Sequence, residues 1–181
     1  MSESVSSGVA RRAQIIQRIQ SETGIDEVMI EKLVRRFYER VRADAVLGPI
    51  FSARIADWEH HLQRMCAFWS SVALMSGRYH GQPMQVHAPL PIDARHFDRW
   101  LALFEATAHE ECPPRAAHHF IERAGRIAQS LESGVAAARG VTLGQGARRW
   151  TSLRAASVNR GVTQRDDTSF DERAQRPACW P

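Results

Sequence analysis

The sequence has few cysteines, the residues that stabilise small secreted domains through disulfides and small domains through bound metal ions. It has three cysteines in 181 residues, Cys66, Cys112 and Cys179, and no two of them form a CxxC pair. An odd number at wide spacing argues against a disulfide framework and against a cysteine metal site, and is typical of a reducing compartment. No apolar run is long enough to span a bilayer, and the first 20 residues lack the apolar core of a signal peptide. We therefore expect a cytoplasmic protein without membrane association.

Charge of one sign is not concentrated anywhere. The formal net charge is +4, but the basic residues are spread along the chain and become denser only towards its end. Nucleic-acid binding requires a basic stripe or face rather than a modest excess of positive charge. We do not expect a nucleic-acid partner.

Composition and periodicity divide the chain into three zones. Residues 1–24 are an N-terminal extension that we expect to be partly helical or disordered, with a short helix around Ile15, Ile16 and Ile19. Residues 25–140 carry dense helical periodicity and predict one domain. Residues 141–181 are rich in Arg, Ser, Thr, Gly and Asp without any period, which predicts a disordered tail.

Capping and breaking residues predict the helices of the middle zone. Asp26, Asp57 and Asp93 are placed to cap three helices, and Cys112-Pro113-Pro114 ends the third and starts a fourth that fades near Gly134. Gly48-Pro49 is predicted to stop the first helix, and a broken stretch runs from 77 to 91. No segment alternates as a strand does, so the fold class is all-α.

Several polar-tipped aromatic and imidazole side chains occupy positions that should face this helical core. His61 lies in an apolar stripe with Trp58 one turn before it and Met65 one turn after, and His87 lies in the Pro- and Gly-punctuated segment. The remaining members of the set are Tyr38, Trp69, Tyr79 and Trp100. Buried hydroxyl and indole groups need partners, so their convergence indicates a polar ligand in an apolar slot.

Five blocks of the sequence, in order, resemble a group III truncated haemoglobin. They are Phe37-Tyr38-Glu39-Arg40-Val41-Arg42-Ala43-Asp44 with Leu47-Gly48-Pro49-Ile50-Phe51; Trp58-Glu59-His60-His61-Leu62; Met65 with Phe68-Trp69-Ser70-Ser71; Tyr79-His80-Gly81-Gln82-Pro83 with His87; and Phe97, Trp100, Leu101 and Phe104. Each block alone is weak, but the five keep the family's order and approximate spacing. The resemblance covers about residues 25–131.

The resemblance implies a shortened globin fold, a two-over-two helical sandwich around haem b. It places the axial iron ligand at His87 and the distal, catalytic side chains at Tyr38, His61 and Trp100. It gives Met65, Phe68, Trp69 and Tyr79 as further cofactor contacts. Arg64, Arg78, Tyr79 and His80 are candidates for the haem propionates. We expect His60, His96, His109, His118 and His119 to lie on the surface.

Three functions remain open from the sequence. The first is a haem-dependent oxidoreductase that binds dioxygen and acts on nitric oxide or a related oxidant, in the manner of a nitric oxide dioxygenase or a peroxidase. Such an enzyme needs an external electron-donating reductase, because the chain has no flavin or nicotinamide motif. The second is a non-catalytic oxygen binder, store or sensor. The third is a haem-free helical interaction module.

Overall fold

The computed structural model describes residues 2–141, and these form seven helices. They are α1 (Ser2–Thr23), α2 (Glu27–Ala43), α3 (Leu47–Ser52), α4 (Trp58–Leu74), α5 (Pro83–His87), α6 (Ala94–Glu111) and α7 (Pro114–Ala138). The described part of the chain contains no strand, which confirms the all-α class. The predicted disordered tail lies outside the described residues. Within residues 2–141 no helix is both long and apolar enough to cross a bilayer.

Three helices begin at the predicted aspartates. The side chain of Asp26 accepts a hydrogen bond from the Met29 amide at 2.8 Å, and that of Asp57 accepts one from the His60 amide at 3.0 Å. Asp93 accepts from the Arg95 amide at 3.0 Å. Each carboxylate satisfies one of the unpaired donors of a first helical turn. These starts are therefore fixed by local sequence, as predicted.

The prediction at Gly48-Pro49 was wrong, because these residues lie inside α3 rather than terminating α2. Helix α2 ends earlier than predicted, at Ala43. The buried carboxylate of Asp44, the next residue, accepts from the amides of Val46 and Leu47 at 3.0 and 2.9 Å. Gly48 is needed for a different reason: a Cβ there would lie 2.8 Å from the Arg42 carbonyl oxygen. The chain thus turns tightly between α2 and α3.

Two other helix lengths differ from the sequence expectation. α7 does not fade near Gly134 but continues to Ala138, and its last turn is closed by Gly140, at φ +74°, with Val141 donating to the Ala136 carbonyl at 2.9 Å. α1 is a helix of 22 residues rather than a short one, and it packs against α4 and α7. Tertiary contacts extend both helices beyond what their periodicity indicates.

The four long helices of the middle zone pack as two pairs. α2 packs on α4, α6 packs on α7, and α2 also crosses α6. The predicted inner stripe of α2 is fully buried: Ile30, Leu33, Val34, Phe37, Tyr38 and Val41. Ion pairs join α2 to α6 at the surface, among them Lys32–Glu111 at 3.1 Å. The short helix α3 packs on α2 and α6, and the short helix α5 packs on α7.

Candidate functional site

A cavity opens between the helix pairs and is lined almost entirely by apolar and aromatic side chains. The cavity volume is about 80 Å³. Its aromatic lining is Tyr38, Phe51, Phe68, Trp69, Tyr79, Phe97 and Trp100. Mostly apolar and aromatic walls with a few polar groups are typical of small-molecule pockets.

His87 lies in the wall of this cavity at the end of α5. Its Nδ1 donates to the Pro83 carbonyl oxygen at 2.7 Å, within the same short helix. Burial lowers the pKa of His87, and the bond to Pro83 only partly offsets that effect. A neutral imidazole that donates from Nδ1 keeps the lone pair of Nε2, which is the state needed to bind a metal.

Tyr38 and Trp100 also line the cavity, from α2 and α6. Tyr38 is 4% exposed, and burial raises the pKa of its phenol above the usual range, so the hydroxyl stays protonated. The Trp100 ring stacks on Phe104 at 5.3 Å between centroids, with 9° between the ring planes. Phe37 contacts Tyr38 and Trp100 edge to face, at 5.1 and 5.3 Å. The structure therefore brings these two predicted residues to one cavity.

His61, the third predicted distal residue, is not among the residues that line the cavity in this structure. It is buried against Tyr38, with ring centroids 4.8 Å apart and an angle of 87°, and it also contacts Trp58 at 5.9 Å. Burial, aided by the charges of Arg64 and His60, lowers the pKa of His61 to about 4. A neutral His61 therefore packs edge to face on the Tyr38 ring.

The other predicted contacts, Met65, Phe68, Trp69 and Tyr79, all line the cavity. Trp69 stacks on Phe104 at 4.6 Å with 16° between planes, so Phe104 lies between two tryptophan rings. Tyr79 is fixed through its amide, which donates to Ser71 Oγ at 2.8 Å. Burial raises the pKa of Tyr79, and the positive charge of Arg64 opposes that effect.

The candidates for binding an anionic group separate in the structure. Tyr79 lies at the cavity and Arg64 lies beside it, whereas Arg78 pairs with Glu27 at 3.0 Å and His80 is exposed. The Tyr79–Arg64 side of the cavity is therefore better placed than Arg78.

The prediction that His96 and His119 lie on the surface was wrong, because both are half-buried. His96 lines the cavity and accepts from the Asp93 amide at 3.0 Å, forming a capping box with the Asp93 side chain. The spacing of Asp93 and His96 at the start of a helix is the signal that could have located it. His119 is half-buried, and its Nε2 donates to the Ala73 carbonyl at 2.9 Å. His60, His109 and His118 are exposed, as predicted.

Comparison with known proteins gives a family. The profile of the bacterial-like globin family matches residues 21–132. The chain is 34% identical over 114 residues to the group 3 truncated haemoglobin of Campylobacter jejuni, covering 60% of this chain and 90% of that protein. It is 30% identical over 80 residues to a group 2 truncated haemoglobin of Bacillus subtilis, covering 43% of this chain and 61% of that one.

Solved structures agree with the sequence match. The crystal structure of the Campylobacter jejuni group III truncated haemoglobin superposes with a TM-score of 0.56, covering 60% of this chain and 89% of that one at 34% identity. A haemoglobin from Chloroflexus aurantiacus gives a TM-score of 0.52 at 27% identity, covering 62% and 95% of the two chains.

The all-helical fold and the match to residues 21–132 place the chain in the bacterial-like globin family. Within that family it is a group III truncated haemoglobin, as the sequence blocks predicted. It is accordingly a haem globin that binds small ligands.

Proposed function

We propose that the cavity holds haem b and that His87 is its axial ligand. The observation that carries the proposal is the Nδ1 bond of His87 to the Pro83 carbonyl at 2.7 Å, which fixes the tautomer and orientation of a neutral imidazole in the cavity wall. A helix-terminal histidine held in this way is suited to coordinate through Nε2.

The residues present fit a haem. The cavity wall is apolar and carries flat rings from α2, α4 and α6, which suits a large planar apolar group. Tyr79 and Arg64 offer hydroxyl and guanidinium donors that would suit the anionic propionates. Haem iron, when bound, supplies a coordination site for a diatomic ligand and one-electron redox chemistry.

Two further lining residues provide the groups that we propose act on a small ligand. Tyr38 lines the cavity from α2 and Trp100 lines it from α6, and each side chain has one donor hydrogen. A dioxygen or nitric oxide molecule that gains partial negative charge is held best by donors in a site that excludes water. His61, whose ring packs on Tyr38 at 4.8 Å between centroids, is the third side chain that we propose for the distal site.

We propose that this pocket binds dioxygen and converts nitric oxide or a related reactive species, with electrons supplied by an external reductase. The protonated, buried phenol of Tyr38 supports this, because it stays a donor throughout the physiological pH range. Storage or sensing of oxygen is the second candidate, since the same two donors would retain the ligand without turnover. Nitric oxide consumption that depends on an added reductase distinguishes the first from the second.

The axial assignment is tested by replacing His87 with Ala. The variant should lose stoichiometric haem, and exogenous imidazole should restore the Soret band. His118→Ala is the matched control, because it removes an exposed imidazole from α7. Full haem loading of His87→Ala without imidazole would sink the assignment, and absence of a Soret band in the unaltered protein would favour a haem-free module.

A further inference from the structure

The segment that follows His87 is tied to the far end of α7 by one side chain. Arg139 Nη1 donates to the Ile92 carbonyl oxygen at 2.9 Å, and its Nη2 donates to the Leu90 carbonyl oxygen. The same segment is connected to His87 itself, because the Leu90 amide donates to the His87 carbonyl at 3.0 Å. A single guanidinium thus bridges two carbonyls in the five residues after the proposed iron ligand.

The backbone under Arg139 is itself held. Its amide donates to the Ala136 carbonyl at 3.0 Å, and Gly140 takes the left-handed conformation that lets Val141 donate to the same carbonyl. Such a closed C-terminal turn satisfies the last carbonyls of a helix and leaves little freedom to the residue that precedes the glycine. The backbone of Arg139 is therefore held in place by hydrogen bonds, although its side chain lies at the surface.

A second contact of the same helix holds the other side of His87. Met84, three residues before His87 in α5, packs so closely on Gly134 that a Cβ there would lie 2.1 Å from the Met84 sulfur. α7 therefore contacts the chain both before and after His87. Gly134 and Arg139 both lie beyond residue 132, where the family match ends.

We propose that Arg139 is a positioning residue for the iron ligand. It holds the segment 88–93 against α7, so that the His87 imidazole keeps its place in the cavity wall. The inference rests on the proposed axial role of His87. Ile92 links the two regions directly, because its carbonyl accepts from Arg139 and its side chain lines the cavity.

The test uses the full chain with haem and three variants. Arg139→Gln removes the charged fork, and Arg139→Lys retains the charge but lacks the rigid planar pair of donors. Arg115→Gln removes an exposed arginine from the other end of α7 as a control. Amide hydrogen exchange of residues 88–93 and haem transfer to excess apomyoglobin should both be roughly tenfold faster in Arg139→Gln, given two charge-assisted bonds at a partly exposed site. Lys should be intermediate, and Arg115→Gln unchanged.

A second background separates positioning from general stability. In His87→Gly protein loaded with haem and imidazole, the ligand is not attached to the chain, so Arg139→Gln should no longer change the rate of haem transfer. An effect of equal size in both backgrounds would overturn the proposal, as would unchanged exchange at residues 88–93 in Arg139→Gln.

The two proposals fail in distinguishable ways. Full haem retention by His87→Gly without imidazole would overturn the axial assignment, and with it the action of Arg139 on iron ligation. Loss of haem from His87→Gly, together with an inert Arg139→Gln, would overturn the present inference alone.

Discussion

Removing one oxygen atom from Tyr38 should be enough to weaken the hold of the pocket on dioxygen. The Tyr38→Phe ring retains its edge contacts with Phe37 at 5.1 Å, Phe51 at 5.9 Å and His61 at 4.8 Å, so the wall keeps its shape. Because burial raises the pKa of Tyr38, the unaltered protein carries the donor hydrogen at every pH used in the assay. The substitution therefore removes a hydrogen bond and little else.

The size of the effect follows from the burial of the hydroxyl. Tyr38 is 4% exposed, so water cannot easily replace its hydrogen bond. A bond to an acceptor with developed negative charge contributes about 1.5–3 kcal/mol, and about 1.4 kcal/mol corresponds to a tenfold change in a dissociation constant. Dioxygen should thus leave Tyr38→Phe about 10- to 100-fold faster on that arithmetic. Carbon monoxide, which is less polarised, should change much less.

Stopped-flow release of dioxygen from the haem-loaded protein is the deciding assay. Tyr79→Phe is the matched control, because it removes the hydroxyl of the chain's other tyrosine, also at the cavity, and should leave the rate nearly unchanged. Trp100→Phe should likewise speed the release of dioxygen more than it speeds the release of carbon monoxide. If both donors act on one ligand, the double variant should deviate from the sum of the single effects. An unaltered rate in Tyr38→Phe, with haem still bound, would refute the distal role.

Three predictions concern stability, each measured by urea unfolding. Asp44→Ala should lower the free energy of unfolding by about 2–3 kcal/mol, more than Asp44→Asn does, because it removes a buried acceptor and the charged partner of Arg99. Burial acts to raise the pKa of Asp44, but the bonds to Arg99 and to the backbone amides lower it overall. The stabilisation by Asp44 should therefore be lost as the pH falls below 3.8. Between pH 6.5 and about 4 the unfolded chain binds a proton at His61 that the folded protein does not, so the free energy of unfolding should fall by up to about 3 kcal/mol across that range. His61→Leu should remove this pH dependence. An identical slope in both proteins would contradict the neutral His61. Gly48→Ala should cost about 1–3 kcal/mol by crowding the Arg42 carbonyl, and an equally stable variant would show that the turn can relax.

The parts of the fold that depend on neighbouring residues could be predicted from the sequence. Asp26, Asp57 and Asp93 cap the helices they were expected to cap, since a cap depends on a carboxylate and the next three amides. The buried stripe of α2 follows from apolar residues at helical spacing, and the prolines at 113 and 114 mark the start of α7. The family resemblance added the cavity residues, because the blocks keep a known order.

The parts that depend on how helices are rotated and where distant segments meet could not be predicted. Periodicity shows that His61 and Met65 are both buried, but it does not show that Met65 faces the cavity while His61 faces Tyr38. The predicted end of α2 was wrong because the Asp44 carboxylate accepts from the amides of Val46 and Leu47 and pairs with Arg99. Arg99 is 55 residues away in the sequence. The contacts of Arg139 with Leu90 and Ile92 likewise span more than 45 residues of sequence.

The stack of Trp69, Phe104 and Trp100 forms one wall of the cavity that is already ordered before a ligand enters. Aromatic side chains have only two torsion angles, so holding three of them in a stack costs little conformational entropy compared with longer flexible chains. Met65 and Leu131 border the same space with side chains that adjust their rotamers readily. Entry of a rigid planar group should therefore leave the stacked wall in place, and the accommodation should fall on the aliphatic side of the cavity.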